Sequence, residues 1–338
     1  MVSGVNTTTA GQGVRLHVVT GKGGTGKTTV AAALGVALAA QGKRVLLAEV
    51  EERQGISSTF DIAPLSTSET LILNDPSGGS LYGMSVEPKA ALLEYLHKFY
   101  KLGRAGSLLE KIGAVDFATT IAPGVRDVLL IGKVYEAAGR TQGRGRKAVP
   151  AYDAVVLDAP PTGRVARFLG VNTEVAEVAR MGPIKSQADS ITALLKSRIT
   201  AVHLVTLLEE MPVQECLDAT QSLSEAGFPV GAIIVNQVRD PILSEGDLTD
   251  LSDGITSRLH TEIAADLASV GVADPDRTTT VLLEEAQAHL ERLDLQAEQD
   301  QRIQEQGRLV YYLPQLPGGL EAGGLNVLAD ELHTQGMV

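Results

Sequence analysis

The chain has a single cysteine, Cys216, and no tryptophan among its 338 residues. One thiol excludes an internal disulfide and any metal site built on a cysteine pair within one chain. It also fits a reducing compartment, and a cytoplasmic protein is expected. Aromatic residues make up only 4% of the sequence, too few for the stacking platforms that hold single-stranded nucleic acid. Positive charge is scarce as well. Against 41 Asp and Glu there are 29 Lys and Arg, a formal charge of −12 and a pI near 5.0. Such a surface repels a phosphate backbone, so no nucleic-acid partner is expected. No apolar run reaches the roughly 18–20 residues of a membrane span. The opening MVSGVNTTTAGQG has neither a basic start nor an apolar block, so no secretory signal is expected. One stretch runs against the acidic balance: GRTQGRGRK, from Gly139 to Lys147, reads as a solvated loop, with an anion-contacting site as the sharper alternative.

What is present is a series of short apolar runs: VRLHVVT, RVLLAEV, AVVLD, AVHLVTL, VGAIIVN and RLVYYL. Runs of this length, rich in β-branched residues and separated by helical patterns, are those of buried parallel strands. The alternation predicts an α/β fold, a mostly parallel sheet flanked by helices. TTVAAALGVALAAQG predicts a helix closed by Gly42, and further helices are expected from Thr256 to Val270 and from Thr280 to Gln306. Between approximately residues 87 and 140 the strand pattern gives way to KAALLEYLHKFYKLG, GSLLEKIGAV and GVRDVLLIGKVYEAAG, an inserted helical lobe. With no repeat and no convincing linker, residues 1–338 read as one domain.

The strongest local signal is Gly21-Lys22-Gly23-Gly24-Thr25-Gly26-Lys27-Thr28, which satisfies G-x-x-x-x-G-K-[ST] between a strand and a helix. Glycines let successive backbone N–H groups turn towards phosphate oxygens, and the helix N-terminus adds partial positive charge. Lys27 supplies a point charge at the β- and γ-phosphates, and the Thr28 hydroxyl is the expected Mg²⁺ ligand. The nucleotide-binding set is Gly21, Gly23, Gly24, Thr25, Gly26, Lys27, Thr28 and Thr29. The extra lysine, Lys22, marks the deviant class of this loop, although an ordinary surface lysine is the plainer alternative. In AVVLDAPPTGRVARFLG, apolar residues run straight into Asp158. A carboxylate at such a strand end holds Mg²⁺, here expected through water. The Ala-Pro-Pro-Thr-Gly that follows suits a segment that responds to the γ-phosphate.

GKGGTGKTT, LDAPPTGRVARFL and VTLLEEMPVQE together resemble the family of arsenite-pump ATPases and tail-anchored-protein targeting ATPases. APGVRDVLLIGKVYE, IIVNQV and the C-terminal VYYLPQLPGGLEAGGLNVL extend the likeness over nearly the whole chain. The resemblance implies a P-loop NTPase fold and a Mg²⁺-dependent ATP hydrolase that works as a nucleotide-gated dimer. It implies that Lys22 reaches across the dimer and that Asn236 contacts adenine. Adenine is favoured by this analogy, and no Asn-Lys-x-Asp follows the late strand to select guanine. The family's water-orienting aspartate corresponds to Glu51, in LLAEVEERQGISSTF, with Glu49 and Glu52 close enough to take the role. The implied partner is a second copy or a paralogous ATPase subunit, with a protein client or membrane-protein partner.

The chain departs from the family in several places. The cysteines of both branches are absent, a family switch histidine is replaced by Arg164, and five methionines are too few for a flexible Met-rich groove. A chaperone-like targeting module is the second reading. A partition or division ATPase is the third, but the C-terminal NVLADELHTQGMV is acidic, where that class wants a basic amphipathic helix.

Overall fold

The computed structural model describes residues 13–51, 54–100, 123–143, 145, 148–178, 183–239, 241–244, 246–247, 249, 257–320 and 323–338. In chain order the first half contains β1 (Leu16–Gly21), α1 (Lys27–Ala40), β2 (Arg44–Glu49), α2 (Gly55–Phe60), β3 (Thr70–Asn74), β4 (Ser80–Ser85), α3 (Pro88–Tyr100), α4 (Pro123–Gly139), β5 (Thr141–Gln142) and β6 (Val149–Pro150). The second half contains β7 (Ala154–Asp158), α5 (Thr162–Val178), α6 (Pro183–Leu195), β8 (Thr200–Thr206), α7 (Glu210–Glu225), β9 (Val230–Val238), α8 (Ser257–Ser269), α9 (Pro275–Gln304), β10 (Val310–Pro314) and α10 (Gly324–Thr334).

Eight strands form one sheet in the order β10-β9-β8-β1-β7-β2-β4-β3. Every neighbouring pair is parallel except β3 with β4. Every residue of β1, β7 and β8 is buried, as expected when helices cover both faces of a parallel sheet. Alternate side chains feed two cores. Leu16, Val18, Leu46, Val155 and Leu157 pack with α4, α5, α6 and α7 on one face. Val19, Val45, Leu47 and Val156 pack with α1, α2 and α10 on the other. Helix α1 is buried from Val30 to Ala39, and its alanines let the sheet and α10 approach from opposite sides. It ends at Gly42, which takes φ +78° and donates its N–H to the Ala39 carbonyl at 2.9 Å, the left-handed close that glycine adopts without strain. The expected α/β P-loop architecture, with its mostly parallel sheet flanked by helices, is therefore present.

Three local details differ from the expectation. Strands β3 and β4 were not read from the sequence. The residues of β4, Ser-Leu-Tyr-Gly-Met-Ser, interleave small and polar groups, yet it pairs with β2 inside the sheet. At Gly83 the chain packs closely: a Cβ there would come within 2.7 Å of Ile72 Cδ1 and 2.9 Å of Leu65 Cδ1, so those side-chain ends would have to shift. Helix α9 begins at Pro275, not Thr280: Asp274 precedes it in the left-handed region and accepts the Arg277 N–H at 3.5 Å, with proline opening the first turn. In the basic stretch, Thr141–Gln142 pairs antiparallel with Val149–Pro150, all four exposed, so part of the expected solvated loop is strand, while Arg144, Arg146 and Lys147 lie outside the described residues. GSLLEKIGAV lies outside the described residues. Among the described residues no helix is long and apolar enough to cross a membrane.

Two histidines sit in the centre of the sheet. His17 on β1 and His203 on β8 are stacked with ring centroids 5.4 Å apart. His17 Nδ1 lies 3.1 Å from His203 Nε2. The Ala232 N–H donates to His203 Nδ1 at 3.2 Å, so the neutral His203 carries its proton on Nε2 and donates it to His17. Burial holds His203 down to about 4. Burial, aided by the nearby His203 and Lys43, holds His17 well below its usual value. The unfolded chain therefore binds more protons below about pH 6.5, and stability falls as the pH drops from there towards 4. A His17→Gln/His203→Gln variant keeps hydrogen-bonding groups but cannot titrate. Between pH 7.5 and 4.5 the wild type is expected to lose on the order of 3 kcal/mol more than this variant, read from urea midpoints. Parallel losses in the two proteins would contradict the assignment.

Candidate active site

The C-terminal ends of β1, β7, β2 and β8 meet along one edge of the sheet, where ligands bind in open α/β folds. The loop Gly21–Gly26 carries the chain from β1 into α1. Gly21 passes so close to β8 that a Cβ would lie 2.2 Å from the Val205 carbonyl oxygen. Gly26 takes φ +83°, and a Cβ there would lie 2.4 Å from Asn236 Nδ2. The loop is closed by Thr25, whose hydroxyl donates to the Lys22 carbonyl at 2.9 Å. Gly23 and Gly24 are exposed at its tip, while Lys27, Thr28 and Thr29 are half-buried in the first turn of α1.

Thr28 donates its hydroxyl proton to Asp158 Oδ2 at 2.6 Å, joining the first turn of α1 to the end of β7. The other carboxylate oxygen, Oδ1, is buried with no hydrogen-bond partner among the described residues. Burial pushes the Asp158 carboxyl up to about 6. The Thr28 hydrogen bond and the Lys27 ammonium pull it down, while the charges of Glu49 and Glu51 push it further up. The next segment is pinned to β1: the Ala159 N–H donates to the Val19 carbonyl at 2.9 Å, and the Thr20 hydroxyl to the Pro160 carbonyl at 2.7 Å.

Glu49 ends β2 in register with Asp158 and is only 2% exposed. Its Oε2 accepts the Ile56 N–H at 3.2 Å, and its Oε1 is a second buried oxygen without a partner among the described residues. Burial raises its carboxyl above the ordinary range, against the Ile56 hydrogen bond and the weaker pull of the nearby Ser85 hydroxyl and of the Gly55 and Gln54 N–H groups. Helix α2 starts against Thr28, with a Cβ at Gly55 meeting Thr28 Oγ1 at 3.3 Å. Glu51 stands half-buried just beyond β2, and Glu52 lies outside the described residues. The sequence named Glu49 only as an alternative to Glu51; its signal is a carboxylate ending an apolar strand, as at Asp158.

Two other expected site residues have partners within the chain. Lys22 Nζ lies 2.8 Å from Glu215 Oε1. Asn236 is 4% exposed and donates Nδ2 to the Thr25 carbonyl at 2.9 Å, bracing the loop from behind. Among the described residues no three His, Cys, Asp or Glu side chains come together to cage a metal. Thr28 and Asp158 instead offer one hydroxyl and one carboxylate. That donor set suits Mg²⁺, a hard cation that keeps waters and takes further oxygens from phosphate.

A profile of the anion-transporting ATPases matches residues 14–198, from the start of β1 through β7 to the end of α6. The chain belongs to the anion-transporting ATPase family. It is an ATP hydrolase, as its family is, and the resemblance to arsenite-pump ATPases is borne out. The ATPase BagA of Mycobacterium tuberculosis is 45% identical over 325 residues, covering 96% of this chain and 94% of that protein. A protein of Chlorobaculum tepidum named "Putative arsenical pump-driving ATPase" is 26% identical over 275 residues, covering 70% of this chain and 64% of that one. The corresponding "Putative arsenical pump-driving ATPase 2" of Aquifex aeolicus is 25% identical over 258 residues, covering 67% of this chain and 80% of its own.

The departures from the family have structural counterparts. Arg164 on α5 is 61% exposed and lies 3.9 Å from Oδ1 of the mostly buried Asp127, a loose pair. Cys216 faces the core between α7 and the sheet, and burial pushes its thiol up to about 12, which suits packing rather than metal ligation.

The loop geometry leads to a stability test. Gly26→Ala combines a left-handed backbone with a clash against Asn236, and is expected to cost roughly 1–3 kcal/mol in urea denaturation. In an Asn236→Ala background the clash is gone and only the backbone term remains, so the same substitution should cost clearly less. Equal costs in both backgrounds would mean that Asn236 does not press on the loop.

Proposed function

We propose that the chain is a Mg²⁺-dependent ATPase of the cytoplasm, a single domain with a helical insertion at approximately 87–140. ATP binding and hydrolysis close and open a dimer that acts on a protein client or membrane-protein partner. The observation that carries this reading is the 2.6 Å hydrogen bond from Thr28 to Asp158, with a buried, unpartnered Asp158 Oδ1 beside it.

On this reading Gly21, Gly23, Gly24, Thr25, Gly26, Lys27, Thr28 and Thr29 surround the nucleotide phosphates. Backbone N–H groups and the start of α1 face the negative charge. Lys27 sets a positive charge against the β- and γ-phosphates. The Thr28 hydroxyl and, through water, Asp158 would hold Mg²⁺, which neutralises phosphate charge when bound. Asn236 contacts adenine while its amide holds Thr25. Glu51 orients the attacking water, and Lys22 reaches phosphates held by the other subunit, whether a second copy or a paralogous ATPase subunit. Catalysis of this kind is mostly positioning and charge neutralisation, so few reactive side chains are needed. The single cysteine, Cys216, is buried in the core, and the transported species of the arsenical pumps is not carried over to this chain.

Lys27→Ala is expected to remove ATP turnover and leave the fold intact, since Lys27 is not a core residue. Glu51→Gln should retain Mg·ATP binding and slow turnover by roughly 10²-fold, the scale of lost acid–base assistance. Turnover and nucleotide affinity measured on folded protein decide both. Near-normal turnover in Lys27→Ala would overturn the phosphate-loop assignment, and slow turnover in Glu49→Gln but not in Glu51→Gln would move the water-orienting role to Glu49.

A further inference from the structure

We infer that Glu215 is a positioning residue for Lys22. It holds the lysine's ammonium within its own chain and releases it when Lys22 moves to a second subunit. The inference rests on the proposal that Lys22 acts across a dimer.

Three connections converge on this one carboxylate. Lys22 lies in the loop after β1, Thr162 opens the helix after β7, and Glu215 lies in the second turn of the helix after β8. These strands are neighbours, in the order β8-β1-β7. Glu215 Oε1 takes the Lys22 ammonium at 2.8 Å, and Oε2 accepts the Thr162 hydroxyl at 3.3 Å. The carboxylate thus bridges the phosphate loop and the segment that follows Asp158, the two pieces of chain on either side of the Thr28–Asp158 hydrogen bond.

The backbone and the side chain of Lys22 are held differently. Its carbonyl accepts both the Thr25 N–H, at 3.3 Å, and the Thr25 hydroxyl, at 2.9 Å, so the main chain is fixed in the loop. Its side chain is kept in place by an ion pair whose partners are 30% and 38% exposed. A pair so open to water biases a side chain by about two- to five-fold and no more. That is enough to set a resting position and weak enough for a competing phosphate to displace. Thr162, 8% exposed, makes release sensitive to the Ala159-Pro160-Pro161 segment, because movement there shifts one of the two groups that fix the Glu215 carboxylate.

The experiment uses the full chain and has two arms. In the first, Lys22 acylation by an amine-reactive reagent is followed by mass spectrometry in wild type and Glu215→Gln, without nucleotide, with Lys196 as internal reference. Lys22 should react about two- to five-fold faster in the variant, the bias of a half-exposed pair. In the second, ATP turnover per chain is measured against protein concentration. Glu215→Gln should shift the concentration dependence lower by a similar factor, and the shift should vanish when Lys22→Ala is added. Equal Lys22 reactivity in both proteins would overturn the inference. So would a Glu215→Gln effect on turnover that persists without Lys22, since that is the mark of a merely structural role. A wild-type turnover that depends neither on concentration nor on Lys22 refutes the dimer reading instead, and the acylation arm still judges the contact between the two residues.

Discussion

The hydroxyl of Thr28 and the carboxylate of Asp158 meet across 130 residues of sequence at 2.6 Å, and the arrangement of the sheet's C-terminal edge depends on that contact. It requires β7 beside β1, in parallel, with Asp158 opposite Val19. It requires α1 to start where the loop's glycines deliver it, and it leaves one Asp158 oxygen buried and unpartnered among the described residues. A buried carboxylate is costly unless something pairs with it. Its raised proton affinity records that cost, and a cation is the natural relief. On the proposed reading, the protein is a scaffold that keeps this oxygen short of a partner until nucleotide and Mg²⁺ arrive.

The neighbouring elements are organised around the same edge. Glu49, in register with Asp158, adds a second buried carboxylate and anchors the start of α2 through Ile56. Asn236 holds the loop through Thr25, and Thr20 fixes the Pro160 carbonyl. The contacts differ in strength in a way that suits a cycle. Those that shape the loop are buried hydrogen bonds, whereas Lys22 is kept by a half-exposed ion pair. Rigid cradle and movable lysine are built from adjacent residues.

Much of this was legible in the sequence, for physical reasons. Strands buried on both faces must be continuous apolar runs, and β1, β2, β7, β8, β9 and β10 are all foreshadowed that way. The phosphate loop was legible because its glycines answer local demands, such as the positive φ at Gly24 and Gly26. Strand β4 was not, because Ser80, Gly83 and Ser85 break up the apolar run around its buried Leu81 and Met84. The long-range polar contacts were also hidden. Nothing near Glu215 in the sequence marks it as the partner of Lys22, and nothing near Asn236 says that its amide faces Thr25. Glu49 lay between the two cases, visible as a strand-end carboxylate but indistinguishable from Glu51 without the register of β2 against β7.

The central claim is that Asp158 serves a cation bound with nucleotide, rather than only holding Thr28. Calorimetric titration of ATP with and without Mg²⁺, in wild type and in Asp158→Asn, tests it most directly. Asparagine retains an oxygen for the Thr28 hydroxyl but loses the charge. The account predicts that Mg²⁺ strengthens ATP binding in the wild type and that this enhancement falls by roughly 10–100-fold in the variant, the range for groups that support a metal from behind its ligands. An equal Mg²⁺ enhancement in both proteins would contradict it.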